Sequence, residues 1–365
     1  MSDPLDSALQ EHFGWSAFRP GQRPVIEAML GGQDCLAVLP TGAGKSLCYQ
    51  LPALVREGLV LVISPLVALM EDQVQHLQRR GIPAACLHRG LDPERRRDLL
   101  KRVRSNRLRL LYLAPERLQV EATRRLLEEI HEEGKLVGLA IDEAHCISAW
   151  GHDFRPDYRR LGQLRRLCPG VPVVALSATA APRVRADLIR LLELRRPLIQ
   201  VRSARRDNLS YVMRRRPKDP LPQVLKAVEE ARGAVLIYAR TRRSVESWAK
   251  RLSDNGVEAI AYHAGMDPES RALALTHFQE HEMPVLVATV AFGMGVDRPD
   301  VGLVLHLDLP SSAEGYLQES GRAGRDGLQA RCLVLFHPDD RSSLAWAIRS
   351  SAEESGDPQD RTRAE

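Results

Sequence analysis

Seven consecutive residues, Pro40-Thr41-Gly42-Ala43-Gly44-Lys45-Ser46, directly follow the apolar run Cys35 to Leu39. Glycine at 42 and 44 permits backbone conformations and close approaches that a Cβ would block. The N–H groups of such a loop, with the N-terminus of the following helix, cradle phosphate oxygens. Lys45 is placed to reach the β- and γ-phosphates, and the Ser46 hydroxyl to hold Mg²⁺. Thr41 and Ala43 complete the loop. The common form of this pattern opens with glycine where this chain has Leu39.

A second feature belongs to the same chemistry. The run Val137 to Ile141 ends in Asp142-Glu143. A strand delivering two adjacent carboxylates at its C-terminal edge fits Mg²⁺ held by Asp142 through water, with Glu143 polarising an attacking water. Two acidic residues at a strand end are common, so the pair gains meaning from the loop at 40–46. Ser177-Ala178-Thr179 closes the run 171–176; its hydroxyls could sense a phosphate, but spacing alone favours an ordinary turn. Just past the carboxylates, Trp150, His152, Phe154 and Arg155 fall within six residues of a chain that is only 5% aromatic. Bases stack on aromatic faces without sequence preference and Arg reaches phosphate, so this loop is a candidate contact for single-stranded nucleic acid. On the residues alone, Trp and Phe packed under a loop is an equal alternative.

These residues need strands to carry them. Short apolar runs at 35–39, 59–63, 84–87, 108–113, 136–141 and 171–176 alternate with helical spacing, and a second series follows at 234–239, 258–262, 285–289, 302–307 and 332–336. Between runs, Met70, Val74 and Leu77 sit at i, i+4 and i+7, with Gly81 as a stop. This alternation predicts an α/β fold of parallel sheets with helices on both faces. The stretch 195–222 differs, rich in Arg and Pro, and places a domain joint near 204: a first domain over 1–203, a second over 204–345, and a polar, disordered tail over 346–365.

Composition sets the bounds. A length of 365 residues calls for two domains. The formal charge of +5 is modest and by itself does not argue for nucleic acid. Only six of the 52 basic residues are Lys; Arg pairs bidentately with phosphate, although a compositional bias explains most of them. The six Cys share no C-x-x-C spacing and read as small buried hydrophobes of a reducing compartment, with no structural zinc expected. No apolar run approaches the ~20 residues that span a bilayer and no signal peptide is evident, so a cytoplasmic location without membrane contact is expected.

Taken together the motifs resemble those of superfamily-two helicases, and of the RecQ family in particular. Asp142 through Tyr158, DEAHCISAWGHDFRPDY, is similar to that family's extended motif II with its aromatic-rich loop; Ala149 stands where the family typically has Gln or Glu. Phe13-Gly14-Trp15 and Phe18-Arg19-Pro20-Gly21-Gln22 resemble its adenine-recognition motif, 287–295 its motif V, and 318–327 its motif VI. The likeness runs from about residue 8 to about 345. It implies two tandem RecA-like P-loop domains and ATP with Mg²⁺ as cofactors. Arg19 and Gln22 would read the adenine edge, and Trp15, usually Tyr in the family, would stack on its face. Arg325 would be an arginine finger with Arg322 as its partner on the phosphates. The implied activity is ATP-dependent 3′→5′ helicase movement on single-stranded and partly duplex DNA, in repair or recombination, with protein partners unknown. The family usually continues into a four-Cys zinc module and a winged helix. No such Cys cluster occurs here, so weak unwinding is expected of this chain by itself. A DNA-stimulated ATPase with little autonomous unwinding, or a non-hydrolysing scaffold, is the alternative; intact Lys45, Asp142, Glu143, Arg322 and Arg325 speak against the scaffold.

Overall fold

The computed structural model describes residues 3–148, 155–290, 292 and 298–340. Its contacts divide into two units, Met1–Ala204 and Arg205–Glu365.

In the first unit, β1 (Cys35–Val38), β2 (Leu59–Ile63), β3 (Ala84–Leu87), β4 (Leu110–Leu113), β5 (Leu136–Ile141), β6 (Val173–Ser177) and β7 (Leu198–Val201) form one sheet in the order β3-β4-β2-β5-β6-β1-β7. Every neighbouring pair is parallel. All residues of β1, β2, β4, β5 and β6 are buried, which is why these strands read as unbroken apolar runs rather than as alternations. Successive side chains serve opposite faces. Leu59, Leu61 and Ile63 enter one core, and Val60 and Val62 enter the other. Helices cover both faces. In Val67–Arg79 the buried residues are Met70, Val74 and Leu77, the stripe expected from their spacing. The helix closes with the Gly81 N–H on the Gln78 carbonyl and the Ile82 N–H on that of Leu77, with Gly81 in the left-handed region.

The second unit repeats the plan. Strands β8 (Leu209–Arg215), β9 (Ala234–Tyr238), β10 (Ala259–Tyr262), β11 (Val285–Ala288), β12 (Val301–His306) and β13 (Ala330–Phe336) are ordered β10-β11-β9-β12-β13-β8, again parallel throughout. Each apolar run read as a strand forms one, with ends moved by at most two residues.

Two strands were not foreseen. β7 and β8 lie in the stretch 195–222, whose Arg and Pro suggested a featureless joint. Both are edge strands. Among the described residues β7 pairs only with β1 and β8 only with β13. Neither has a buried run: Ile199 and Val201 are exposed, and Leu209 is the one fully buried residue of β8. An edge strand needs backbone partners on one side only and tolerates charge on its open face, so its pattern is weak. Pro197 stands just ahead of β7, where a missing N–H costs no ladder bond. Among the described residues no helix is long and apolar enough to cross a membrane. The tail 346–365 lies outside the described residues.

Candidate active site

The carboxyl ends of β1, β6 and β5 lie side by side. Val38 pairs with Ser177, and Ala175 with Ile141. The loop 40–46 leaves the first of these ends, Ser177-Ala178-Thr179 the second, and Asp142-Glu143 the third. Ligands of open α/β sheets bind at this edge.

The loop is built by local bonds. Its Ala43 N–H donates to the Pro40 carbonyl at 3.0 Å, and the Leu47 N–H to that of Gly44 at 3.2 Å. The helix Leu47–Val55 follows. Gly42 and Gly44 have φ of 80° and 71°, a region L side chains rarely adopt. A Cβ on Gly44 would also lie 2.7 Å from Gln22 Nε2. The N–H groups of Gly42, Gly44, Lys45 and Ser46 donate to no protein acceptor among the described residues, leaving a row of donors at the start of a helix, which suits phosphate. Lys45 Nζ lies 3.4 Å from the Leu39 carbonyl, so the residue standing in place of the usual glycine contributes its backbone oxygen to orient the ammonium.

Gln22 and Arg19 are brought onto this loop. The Gln22 side chain is buried, with 1% of the residue exposed. Its Oε1 accepts the Arg19 N–H at 2.7 Å. Its Nε2 donates to the Ala43 and Gly44 carbonyls, each at 2.9 Å. The Arg19 guanidinium donates to the Gly42 carbonyl. In this geometry both side chains hold the loop 40–46 through its carbonyls, contacts that leave no mark in the sequence. Trp15 is 42% exposed, stacked on Phe13 at 5.5 Å, and so offers an open aromatic face. Asp6, residues 16–21, Arg23 and Pro24 line a hollow of about 470 Å³ nearby.

The Asp142 N–H continues the β5 ladder to the Ile63 carbonyl at 2.8 Å, and Tyr158 Oη donates to the Asp142 carbonyl at 3.1 Å. Burial, and then the neighbouring Glu143 charge, push the Asp142 carboxyl up to about 7, while Lys45 pulls it down. Asp142 Oδ1 accepts the Glu143 N–H at 3.0 Å. Glu143 itself has φ 45° and ψ 45°, a left-handed conformation that costs a non-glycine residue on the order of 1–3 kcal/mol and tends to occur at functional sites. Its side chain is 14% exposed, and Oε2 lies 3.4 Å from His145 Nδ1. The same nitrogen lies 3.1 Å from Ser177 Oγ, which donates to the Thr179 carbonyl at 2.6 Å. The buried imidazole thus links the carboxylates to the Ser177-Ala178-Thr179 turn. Two crowded, desolvated carboxylates beside a lysine and a row of unpaired N–H groups fit Mg²⁺ with a nucleoside triphosphate: a cation relieves the carboxylate repulsion, and phosphates occupy the donors.

Of the aromatic-rich loop, Trp150, His152 and Phe154 lie outside the described residues. Arg155 lies within them: its Nη1 donates to the Pro65 carbonyl at 2.8 Å and its N–H to that of Cys146 at 2.9 Å. It therefore ties the loop's end to the segment after β2.

In the second unit, Arg322 and Arg325 lie on a turn following the helix Ala313–Ser320. Arg322 is buried, at 6% exposed, and Arg325 is half-buried. Both charges act on Tyr238 at the end of β9, whose hydroxyl burial pushes up to about 12 and the two arginines pull down. The Arg322 Nε is buried with no acceptor among the described residues. Motif V is described at 287–290 and at Phe292 only.

Among the described residues one group has the composition of a metal site: Glu71, Cys86 and His88, with donor atoms within 4.8 Å of one another. His88 Nδ1 accepts the Gly90 N–H at 3.2 Å, which leaves the ring proton on Nε2, 3.3 Å from Glu71 Oε1. Burial pushes the Cys86 thiol up to about 11. The trio is a carboxylate close to an imidazole, beside a thiol that burial keeps protonated.

The chain is similar to known proteins in sequence and fold. Residues 19–188 match the DEAD/DEAH box helicase family and residues 219–327 the helicase conserved C-terminal domain. The chain is 43% identical over 354 residues to "ATP-dependent DNA helicase RecQ" of Haemophilus influenzae, covering 97% of this chain and 56% of that protein. It is 41% identical over 344 residues to "Probable ATP-dependent DNA helicase RecS" of Bacillus subtilis, covering 92% and 67%. The chain thus spans just over half the length of that RecQ protein. In fold, it superposes on the Mycobacterium smegmatis helicase Lhr, solved bound to ssDNA and AMP-PNP, with a TM-score of 0.72 at 24% identity, covering 98% of this chain and 51% of the other. That likeness identifies the two units as RecA-like domains. With two matching domain models and more than 40% identity across nearly its whole length, the chain belongs to the RecQ family of DNA helicases.

Proposed function

We propose that this chain is an ATP-driven motor that moves 3′→5′ on single-stranded DNA and separates duplex ahead of it. The observation that carries the reading is the juxtaposition, at one sheet edge, of the unpaired loop donors with the Asp142-Glu143 pair. Loop N–H groups and Lys45 hold the phosphates; Gln22 and Arg19 keep the loop in shape and read the base, on which Trp15 stacks. Ser46 and Asp142 hold Mg²⁺, which when bound neutralises phosphate charge. Glu143 orients the water and takes its proton. Arg325, with Arg322, meets the charge that develops on the transferred phosphoryl group. Trp150, His152, Phe154 and Arg155 engage the DNA strand. Through Arg155 and the short path from Cys146 to Glu143, DNA contact reaches the water-activating carboxylate. The relatives' names as DNA helicases favour DNA over RNA.

The test is displacement of streptavidin from biotinylated single-stranded oligonucleotides. With ATP, streptavidin at the 5′ end should be released well ahead of streptavidin at the 3′ end. Preferential release from the 3′ end, or none from either, contradicts the reading.

A further inference from the structure

The turn carrying Arg322 and Arg325 is gripped by a residue outside all of the motifs above. Arg206 stands just ahead of β8, more than 110 positions earlier in the chain. Its guanidinium donates to three backbone carbonyls, those of Gly321 at 3.2 Å, Ala323 at 2.8 Å and Gly324. These carbonyls flank Arg322 and lead directly into Arg325. They lie where the helix Ala313–Ser320 ends, so a cation there also meets the negative end of the helix dipole. A second residue reinforces the grip. Asn208 Nδ2 donates to the Gly324 carbonyl at 2.8 Å and to that of Leu328 at 2.8 Å. Gly324 has φ +55°, and a Cβ on it would lie 2.6 Å from that same Nδ2. Residues 321–324 are buried. The turn is therefore fixed by side-chain donors reaching across from a distant segment.

We propose that Arg206 is a positioning residue for phosphoryl transfer, holding the peptide from which Arg322 and Arg325 extend while touching neither nucleotide nor reacting atoms. The inference rests on the proposed role of those two arginines. Its physical basis is the steepness of alignment: a misplacement of 1 Å in a catalytic group can cost about 10²-fold in rate. A planar fork can bond three carbonyls at once, which an ammonium on a flexible stem does poorly.

The experiment is steady-state ATP turnover in saturating single-stranded DNA, with melting curves as a folding check. Arg206→Ala is expected to lower kcat by about 10–100-fold with KM for ATP within about threefold. Arg206→Lys should recover only part of the loss. Guanidinium chloride at low millimolar concentration should restore kcat to Arg206→Ala, saturably, and do nothing for the parent. In the Arg325→Ala background, Arg206→Ala should add less than about twofold, since residues acting as a unit are not additive. If Arg206→Ala fails to fold, Asn208→Ala carries the same test, with a smaller kcat loss that vanishes in the Arg325→Ala background. Parent-like kcat in Arg206→Ala, or an undiminished loss in the Arg325→Ala background, overturns the proposal. Parent-like turnover in both Arg322→Ala and Arg325→Ala overturns instead the reading beneath it.

Discussion

Glu143→Gln is expected to lower ATP turnover by about 10²–10⁴-fold, the range a positioned general base supplies. Nucleotide affinity should stay within about twofold, because the substitution keeps shape and removes only the charge that acts on water. The geometry makes this a clean change. Glu143 N–H, not its side chain, makes the bond to Asp142, at 3.0 Å, and that bond survives. Among the described residues, His145 Nδ1 lies 3.4 Å from the carboxylate Oε2. An amide there keeps the side chain's shape. Removing the Glu143 charge also removes one of the two causes that raise Asp142, so the remaining carboxylate ionises more readily. A filter-binding or fluorescent-nucleotide titration beside a phosphate-release assay separates the two effects. Parent-rate phosphate release by purified Glu143→Gln would show that the water is activated elsewhere.

The second large effect belongs to the other unit. Arg325→Ala should reduce turnover by about 10³-fold or more, as removal of an arginine finger does in related phosphoryl transfer. ATP affinity should fall far less, because the charge it meets develops during reaction rather than in the bound ground state. Lys45→Ala makes a useful contrast: a residue on the ground-state phosphates should lose affinity and turnover together. The buried setting of Arg322 beside Tyr238, with its Nε lacking an acceptor among the described residues, suits a guanidinium whose partner is a phosphate. If kcat and affinity fall equally in Arg325→Ala, Arg325 binds the ground state and is not a finger.

What the sequence disclosed and what it hid have physical reasons. The loop 40–46 and the carboxylate pair, which the fold brings to one sheet edge, stood out because particular side chains, or the lack of one, recur at fixed spacing along a continuous stretch. The central strands were legible because burial on both faces demands unbroken apolar runs. β7 and β8 were hidden because edge strands bury little and are paired through backbone. Contacts to carbonyl oxygens were hidden for a related reason: every residue has one, so the acceptor leaves no mark in the sequence. Gln22 on Ala43 and Gly44, Arg155 on Pro65, and Arg206 on Gly321, Ala323 and Gly324 are all of this kind. In each case the sequence showed only a polar donor, and the fold supplied its partner from a distant segment.

ATP hydrolysis at the edge of the first sheet is expected to be coupled to DNA. Its most direct test is the turnover of the purified chain measured side by side with no nucleic acid, single-stranded DNA, duplex DNA and single-stranded RNA. Slow basal turnover that single-stranded DNA raises by at least tenfold, with RNA giving little, is the predicted result, tenfold corresponding to about 1.4 kcal/mol of barrier. Turnover indifferent to all four conditions, or raised most by RNA, would contradict the account.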